Sequence, residues 1–261
     1  MRKINIPKLD VSRRQKIVVG INSLVSTTQP AYSNHIQLFY RLGRSYPNID
    51  FCLVNPPRMS IDKMRNLAAE TAMSIEATHL WFIDDDVLLP SPFDALDKLL
   101  ACKAPVAAAN VIIRGWPFNH MFFTKKKGKN GLYFVKDIPK EYRNKQMPVD
   151  AVGFSCCLIE VSLLKQLNKP FFITGTHNTE DIYFCLKVRD KFPDCKIIVD
   201  TSLVCGHILS AEIIEENNLK NYRQYFRKQF KPMDEKKNRD RGSAYYSMVK
   251  QLTNPPTKVE V

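Results

Sequence analysis

Between residues 16 and 113 the chain alternates short apolar, β-branched runs with stretches of helical period, and that alternation leaves few folds open. KIVVGI (16–21), DFCLV (50–54) and HLWFI (79–83) read as strands, with helical patterns near 32–44 and 60–76 between them. Strands joined by crossover helices pair in parallel, which predicts an α/β architecture with a central, mostly parallel sheet. Pro92 is placed to open a further helix ending near Lys103, and APVAAANVII (104–113) reads as a strand buried on both faces. Over 114–150 the helical period is lost, and FNHMFFTKKKGKNGLYFV suits a hairpin with a basic turn. VDAVGFSCCLIE reads as the next strand, followed by helices near 161–168 and 179–192, the strand KIIVD, and a helical tail beyond His207. The organisation expected is one domain over 1–215, with halves 17–110 and 111–215, and a basic helical extension over 216–261.

A hydrophobic fraction of 44% over 261 residues supplies a sizeable core and excludes a chain that is disordered throughout. No apolar run approaches the roughly 18 residues of a membrane-spanning helix. The basic N-terminus lacks an apolar segment and cleavage site, so the cytoplasm is the expected compartment. Seven cysteines without a CxxC pair, mostly inside apolar runs, read as buried free thiols. The net charge of +13 is uneven: residues 125–145 carry +6 and 220–250 carry +7, while 146–219 carry −4. An acidic centre with basic margins suits a cation site beside a polyanion-attracting surface; a generic solubilising surface is the plainer reading.

Asp84, Asp85 and Asp86 follow HLWFI directly, at the carboxyl end of a predicted parallel strand, where open α/β sheets place their ligands. Three adjacent carboxylates repel unless a cation neutralises them, and hard oxygen ligands suit Mg²⁺ or Mn²⁺ bridging a diphosphate. A solvated turn or a helix cap accounts for one aspartate more readily than for three.

Ile83-Asp84-Asp85-Asp86-Val87 resembles the DxD motif of GT-A glycosyltransferases. Further matches follow in the family's order: Arg65-Asn66-Leu67-Ala68-Ala69 one helix upstream, then Val152-Gly153-Phe154-Ser155, Thr179-Glu180-Asp181 and Gly206-His207. Singly each has an ordinary reading, since an acidic pair opening a helix complements the macrodipole and a lone histidine packs readily in a core. Together they extend the resemblance to GT-A enzymes across residues 17–207, and the stretches PVAAANVIIRGWPF and VDAVGFSCCLIEVSLLKQLNKPFF resemble family 2-like transferases common in bacteriophages, which would make the expected cytoplasm a host's. The resemblance implies a GT-A fold, a nucleotide-sugar donor of the UDP type, and Mn²⁺ or Mg²⁺ held by Asp86 and His207 with Asp84. It also implies ribose contacts from Asp84 or Asp85, Arg65 facing the phosphates, Asp181 as general base beside Glu180, and inversion at the sugar. Gly20, Ile21 and Asn22, ending the first strand, would meet the nucleobase, although the same residues suit an ordinary turn. Many family members have an acidic residue at the end of the second strand; here the stretch is Leu53-Val54-Asn55-Pro56-Pro57, which leaves base selectivity open.

Arg114, Trp116, Gly153 and Phe154, with Lys125, Lys126 and Lys127 on the hairpin, make up the expected acceptor side. In the tail Lys220, Arg223, Arg227, Lys228 and Lys231 interleave with Tyr222, Tyr225, Phe226 and Phe230. Basic residues among aromatics suit nucleic-acid phosphates and unstacked bases, and equally an amphipathic helix on an anionic membrane. The phage-like resemblance favours DNA bearing a hydroxymethylated pyrimidine, with saccharide, lipid and protein acceptors open. A sugar nucleotidyltransferase would need a Gly/Arg/Lys-rich phosphate loop after the first strand, which VVGINSLVSTTQPAY lacks. A non-catalytic nucleic-acid-binding protein would explain the charge but leave the aspartates, the acidic pair and His207 without a role.

Overall fold

Along the central strands successive side chains fall into two separate cores, because each strand is covered on both faces. Ile17, Val19 and Ile21 pack with Trp81, Ile83, Ala107, Ala109 and Leu158 on one face. Val18, Leu80, Phe82, Val106, Ala108, Cys157 and Ile159 pack on the other. Double burial explains why these segments read as unbroken apolar runs rather than as alternating ones. The computed structural model describes residues 15–23, 27–125, 131–176, 178–209, 212–221 and 223–224.

Strand β1 (Gln15–Asn22) leads through helix α1 (Gln29–Ser45) to β2 (Ile49–Val54), and α2 (Ile61–Ser74) leads to β3 (His79–Asp84). A two-residue strand β4 (Val87–Leu88), α3 (Ala95–Ala101) and β5 (Val106–Val111) follow. The hairpin strands are β6 (Phe122–Lys125) and β7 (Leu132–Phe134); then come β8 (Gln146–Pro148), β9 (Ala151–Val152), β10 (Cys156–Glu160), α4 (Val161–Leu164), α5 (Glu180–Lys191), β11 (Ile197–Leu209) and β12 (Glu212–Ile214). The main sheet runs β12-β11-β5-β10-β3-β1-β2. β2, β1, β3, β5 and β11 point one way, and β10 is inserted antiparallel between β3 and β5. This is the mixed α/β architecture with a central, mostly parallel sheet that the alternating pattern predicts.

Several local expectations are corrected. VDAVGFSCCLIE is not one strand: β9 joins β6 and β7 in a small second sheet, β10 enters the main one, and Gly153–Ser155 turns the chain between them. Pro92 precedes α3 rather than opening it, because 90–93 form a turn closed by the Phe93 N–H on the Pro90 carbonyl at 2.9 Å. KIIVD is the start of a 13-residue strand that passes an irregularity between Asp200 and Val204 and carries His207 near its end. Directly after it the chain returns as β12, so the tail begins as a sheet edge and is helical only at 219–221 and 223–224 among the described residues. All seven cysteines are free thiols, and six are buried. Among the described residues no helix is long and apolar enough to cross a membrane.

Helix α2 lies close to the sheet because its inner face is small: Ala68, Ala69 and Ala72 are fully buried. A Cβ on Gly20 would stand 3.1 Å from the Phe82 ring and 3.4 Å from the Ala68 Cβ, so β1 is glycine there to admit both. One turn before Ala69, Asn66 grips the segment after α4. Its Oδ1 accepts from the Phe171 and Phe172 N–H groups at 2.8 and 3.2 Å, and its Nδ2 donates to the Phe172 carbonyl at 2.7 Å. Asn66→Ala leaves two buried backbone N–H groups without acceptors, a loss of about 2–4 kcal/mol. Urea denaturation should show that loss as a lower midpoint with an unchanged slope.

Candidate active site

The carboxyl ends of β1 and β3 lie side by side, with Asn22 in register with Asp84. Asp84 is held from both sides: its N–H donates to the Ser155 carbonyl at 2.9 Å, and its Oδ1 accepts from Arg65 Nη2 at 3.1 Å. Arg65 comes from α2 and is 3% exposed. Its Nε donates to Glu180 Oε1 at 2.9 Å and its Nη1 to the Phe154 carbonyl at 3.2 Å. The guanidinium is therefore engaged by three protein acceptors and neighboured by two aromatic rings, 4.9 Å from the Phe82 centroid and 5.6 Å from that of Phe154. An arginine expected to face a ligand's phosphates is instead the buried tie of the site.

Glu180 and Asp181 open α5, after Thr179 in extended conformation. Both are buried, at 5% and 8% exposure. Asp181 Oδ1 accepts from the Thr179 hydroxyl and from the Ile182 N–H at 2.7 Å, which fixes the carboxylate against the helix N-terminus. Its other oxygen faces Gly153: a Cβ there would stand 3.4 Å from Oδ2 and 2.6 Å from Met121 Cε. Glycine at 153 thus keeps the space beside Asp181 clear. Burial, then the charge of Asp181, raise the Glu180 carboxyl to about 7 against the pull of Arg65. Burial is the larger cause; the part due to charge arises because one guanidinium serves Asp84, Glu180 and the nearby Asp181.

Asp86 faces the other way. Its Oδ2 pairs with Arg114 Nη1 at 2.6 Å, and its Oδ1 lies 3.5 Å from His207 Nε2. His207 Nδ1 lies 2.6 Å from the Ile112 carbonyl, which can only accept, so Nδ1 donates there and Nε2 is the ring nitrogen turned toward Asp86. β11 brings His207 there by pairing with Val87, and the Ile208 N–H donates to the Asp86 carbonyl at 2.9 Å. Burial alone would raise the Asp86 pKa, but the hydrogen bond and charge of His207, then Arg114, bring it below its ordinary value. Asp85 is raised by burial in spite of a hydrogen bond from Ser23.

Among the described residues no group of three or more His, Cys, Asp and Glu side chains gathers as a metal cluster. Asp84, expected among the ligands, is drawn away by Arg65 and Ser155. The remaining pair, a hard carboxylate and an imidazole fixed by a backbone carbonyl, suits Mg²⁺ or Mn²⁺, which take few protein ligands and fill their shell with phosphate and water oxygens.

Other expected site residues divide. Gly20 and Ile21 are buried in the packing of β1 and present no side chain to a ligand. Asn22 is 3% exposed, and neither its Nδ2 nor its Oδ1 has a hydrogen-bond partner among the described residues. Phe154 is fully buried and stacks on Phe82 with centroids 5.9 Å apart, so of this residue only the carbonyl serves the site. Trp116 is half-buried, edge-on to Phe118, while Arg114 is 46% exposed and lies on Asp86. Lys125 ends β6; Lys126, Lys127 and Lys129 lie outside the described residues, as do Tyr222, Tyr225, Phe226, Arg227, Lys228, Phe230 and Lys231. Lys220 is exposed. Arg223 is not free for a polyanion, because it donates to the carbonyls of Pro117, Phe118 and Lys136.

Sequence reasoning missed Asn34 and His35. Asn34 exchanges two 2.9 Å hydrogen bonds with the backbone of Leu89, and His35 Nε2 meets the Val87 carbonyl at 2.9 Å, so α1 holds the strand after the aspartates. Adjacent polar residues on the inner side of an amphipathic helix are the signal that was there to read.

A scan against protein-family models finds no match, and a search of curated proteins finds none either. Among solved structures the chain is similar to A197 from STIV, with a TM-score of 0.53 and 16% identity over 78% of this chain and 91% of that one. It is similar at a TM-score of 0.41 and 13% identity to S. aureus TarS 1–349 in complex with UDP-GlcNAc, covering 76% of this chain and 57% of that one. The T. maritima inositol-1-phosphate CTP transferase aligns at a TM-score of 0.42 and 11% identity. The chain shares its fold with A197, and it spans a little over half of the TarS fragment.

Arg65→Met leaves two buried carboxylates without their cation and should cost about 3–5 kcal/mol. The Glu180 carboxyl has an ordinary value of 4.5 and stands near 7 in the folded protein. The folded state therefore binds the extra proton between these values, and this contribution to stability is complete below the lower one and lost as pH rises through the upper one. Glu180→Gln should flatten the fall in urea midpoint between about pH 4.5 and 7.

Proposed function

We propose that the chain is a metal-dependent GT-A-type glycosyltransferase that moves a sugar from a nucleotide sugar, of the UDP type, to an acceptor hydroxyl with inversion. The observation that carries the reading is the pairing of two different devices at one end of the sheet. One is the Asp86–His207 pair, with its ring fixed by Ile112; the other is the buried Asp181, with one oxygen committed to its helix and one directed at Gly153. A bound Mn²⁺ or Mg²⁺ would offset the charge of the leaving diphosphate as a Lewis acid. Asp86 and His207 would hold that cation, and Asp85 would stand beside them for the ribose. Asp181 takes the proton of the acceptor hydroxyl as its oxygen bonds the anomeric carbon, and the sugar–phosphate bond breaks with its electron pair leaving on the diphosphate. Glu180, tied to Arg65, keeps Asp181 in place. The unpaired amide of Asn22, beside Asp84, is offered to the nucleobase or ribose, because a buried amide with both ends open lacks a partner that a ligand edge can supply.

For the acceptor we propose a 5-hydroxymethylpyrimidine in DNA, drawn by the net charge of +13 and the basic segment 125–145. Reaching the hydroxymethyl group requires the base to leave the stack. A second reading, action at an anionic membrane surface, is favoured by α1. Tyr32, Ile36 and Tyr40 are exposed at four-residue spacing beside Arg41 and Arg44, and the helix has no acidic residue.

Asp86→Ala should abolish the Mn²⁺-dependent thermal shift given by UDP-sugars. Asp181→Asn should keep that shift and lose transfer by a factor of roughly 10² or more; near-normal transfer would remove Asp181 from the role of base. With a panel of donors and hydroxymethylated DNA, mass spectrometry of the digested nucleosides should find a hexose or pentose adduct. Donor hydrolysis without an adduct would reassign the acceptor to a saccharide or lipid.

A further inference from the structure

Arg65 and Arg114 each pair with an aspartate of the motif, and Arg223 lies against the turn that carries Arg114; two of the three are immobilised. Arg65 is buried with its donors on three acceptors, and Arg223 is anchored by three carbonyls. Arg114 differs. It stands on the turn after β5, which is closed on itself by the Ile113 N–H to the Asn119 carbonyl at 3.0 Å and the Phe118 N–H to the Gly115 carbonyl at 2.7 Å. Its side chain is 46% exposed and reaches Asp86 Oδ2 through Nη1 at 2.6 Å. One edge of the guanidinium is used and the rest is available from solvent.

We infer that Arg114 competes with the divalent cation for Asp86 and is released by the nucleotide's diphosphate, so that cation and nucleotide bind cooperatively. The inference rests on the reading of Asp86 and His207 as the cation site. The geometry sets Arg114 and a cation in opposition on one carboxylate. Asp86 has two oxygens, of which one faces His207 and the other is in contact with the guanidinium, and two positive groups on one small carboxylate repel. A diphosphate changes the balance, because guanidinium binds phosphate through two parallel hydrogen bonds, whereas Arg114 reaches Asp86 through one nitrogen. The exposed stem lets the group turn from carboxylate to phosphate without unfolding its loop. Whatever nucleotide binding does for the cation, the cation must do equally for nucleotide binding. The consequence is a site that holds its own charge in balance when empty of donor, and takes up Mn²⁺ firmly only together with a nucleotide.

The test is a Mn²⁺ titration of the full chain, followed by the electron paramagnetic resonance of free Mn²⁺, with and without saturating UDP. The wild-type protein should bind Mn²⁺ about 10-fold or more tightly with UDP than without it, within the usual range of such couplings. Arg114→Ala and Arg114→Gln should bind Mn²⁺ about 10-fold more tightly than wild type when UDP is absent, and should lose most of the coupling. The glutamine variant keeps a donor without the charge, and the exposed position spares the fold in both. Mn²⁺ binding by either variant no tighter than wild type without UDP would overturn the inference. If Asp86→Ala abolishes binding in the same assay, that failure concerns Arg114 alone. Absence of Mn²⁺ binding by the wild type even with UDP would overturn the cation site and the inference with it.

Discussion

One buried guanidinium, that of Arg65, is the interaction on which the arrangement of the site depends. It joins three parts of the chain far apart in sequence: Asp84 at the end of β3, the carbonyl of Phe154 in the turn before β10, and Glu180 at the start of α5. Taking these charges out of water costs several kcal/mol per ion, and their mutual attraction repays that only when nearly every donor is used. Arg65 meets the condition through good distances and two aromatic neighbours. An apolar residue of similar volume would satisfy the packing, but it would not set the orientation of two carboxylates at once. The tie is thus better explained by what it positions than by net stability.

Its placement in turn depends on small residues. Arg65 reaches the strand ends because α2 sits low on the sheet, and α2 sits low because Ala68, Ala69 and Gly20 leave room for the Phe82 ring. Asn66, the next residue, binds the segment carrying Phe171 and Phe172, and Phe172 stacks on Phe184 of α5 with centroids 5.0 Å apart. Adjacent residues of one helix therefore hold α5 in two ways, one through charge and the other through the aromatic core.

The central strands of the first half were legible because they are covered on both faces, and its helices because they are long enough to show their period. What the pattern could not reveal was where a continuous apolar run changes sheets. VDAVGFSCCLIE has one texture, yet Gly153 breaks it, and the reason is local: Met121 and Asp181 crowd the position where a side chain would be. The site was legible as chemistry and less so as orientation. The resemblance to GT-A enzymes brought Arg65, Asp84, Glu180, Asp86 and His207 into one list, but only the fold separates a network around Arg65 from a pair around Asp86. Gly20, Ile21 and Phe154 share the neighbourhood of the site without facing it, since alternate residues of a doubly buried strand, or of a turn packed on an aromatic core, point into the protein.

Three consecutive aspartates are chemically alike in the sequence and are made unequal by their neighbours. Asp84 shares a buried guanidinium with Glu180, and burial holds its pKa above the ordinary value although Arg65 and Ser155 oppose it. Asp85 is raised as well, with Ser23 as its hydrogen-bonding partner. Asp86 alone is lowered, because His207 and Arg114 outweigh its burial. Asp86 is also the aspartate that meets two basic side chains at once, His207 at Oδ1 and Arg114 at Oδ2. The first is bound into the structure and the third is available to exchange partners. The first and third aspartates of the motif are thus set apart by their partners, Asp84 by Arg65 and the Ser155 carbonyl and Asp86 by His207 and Arg114, and it is this division that the proposed function draws on.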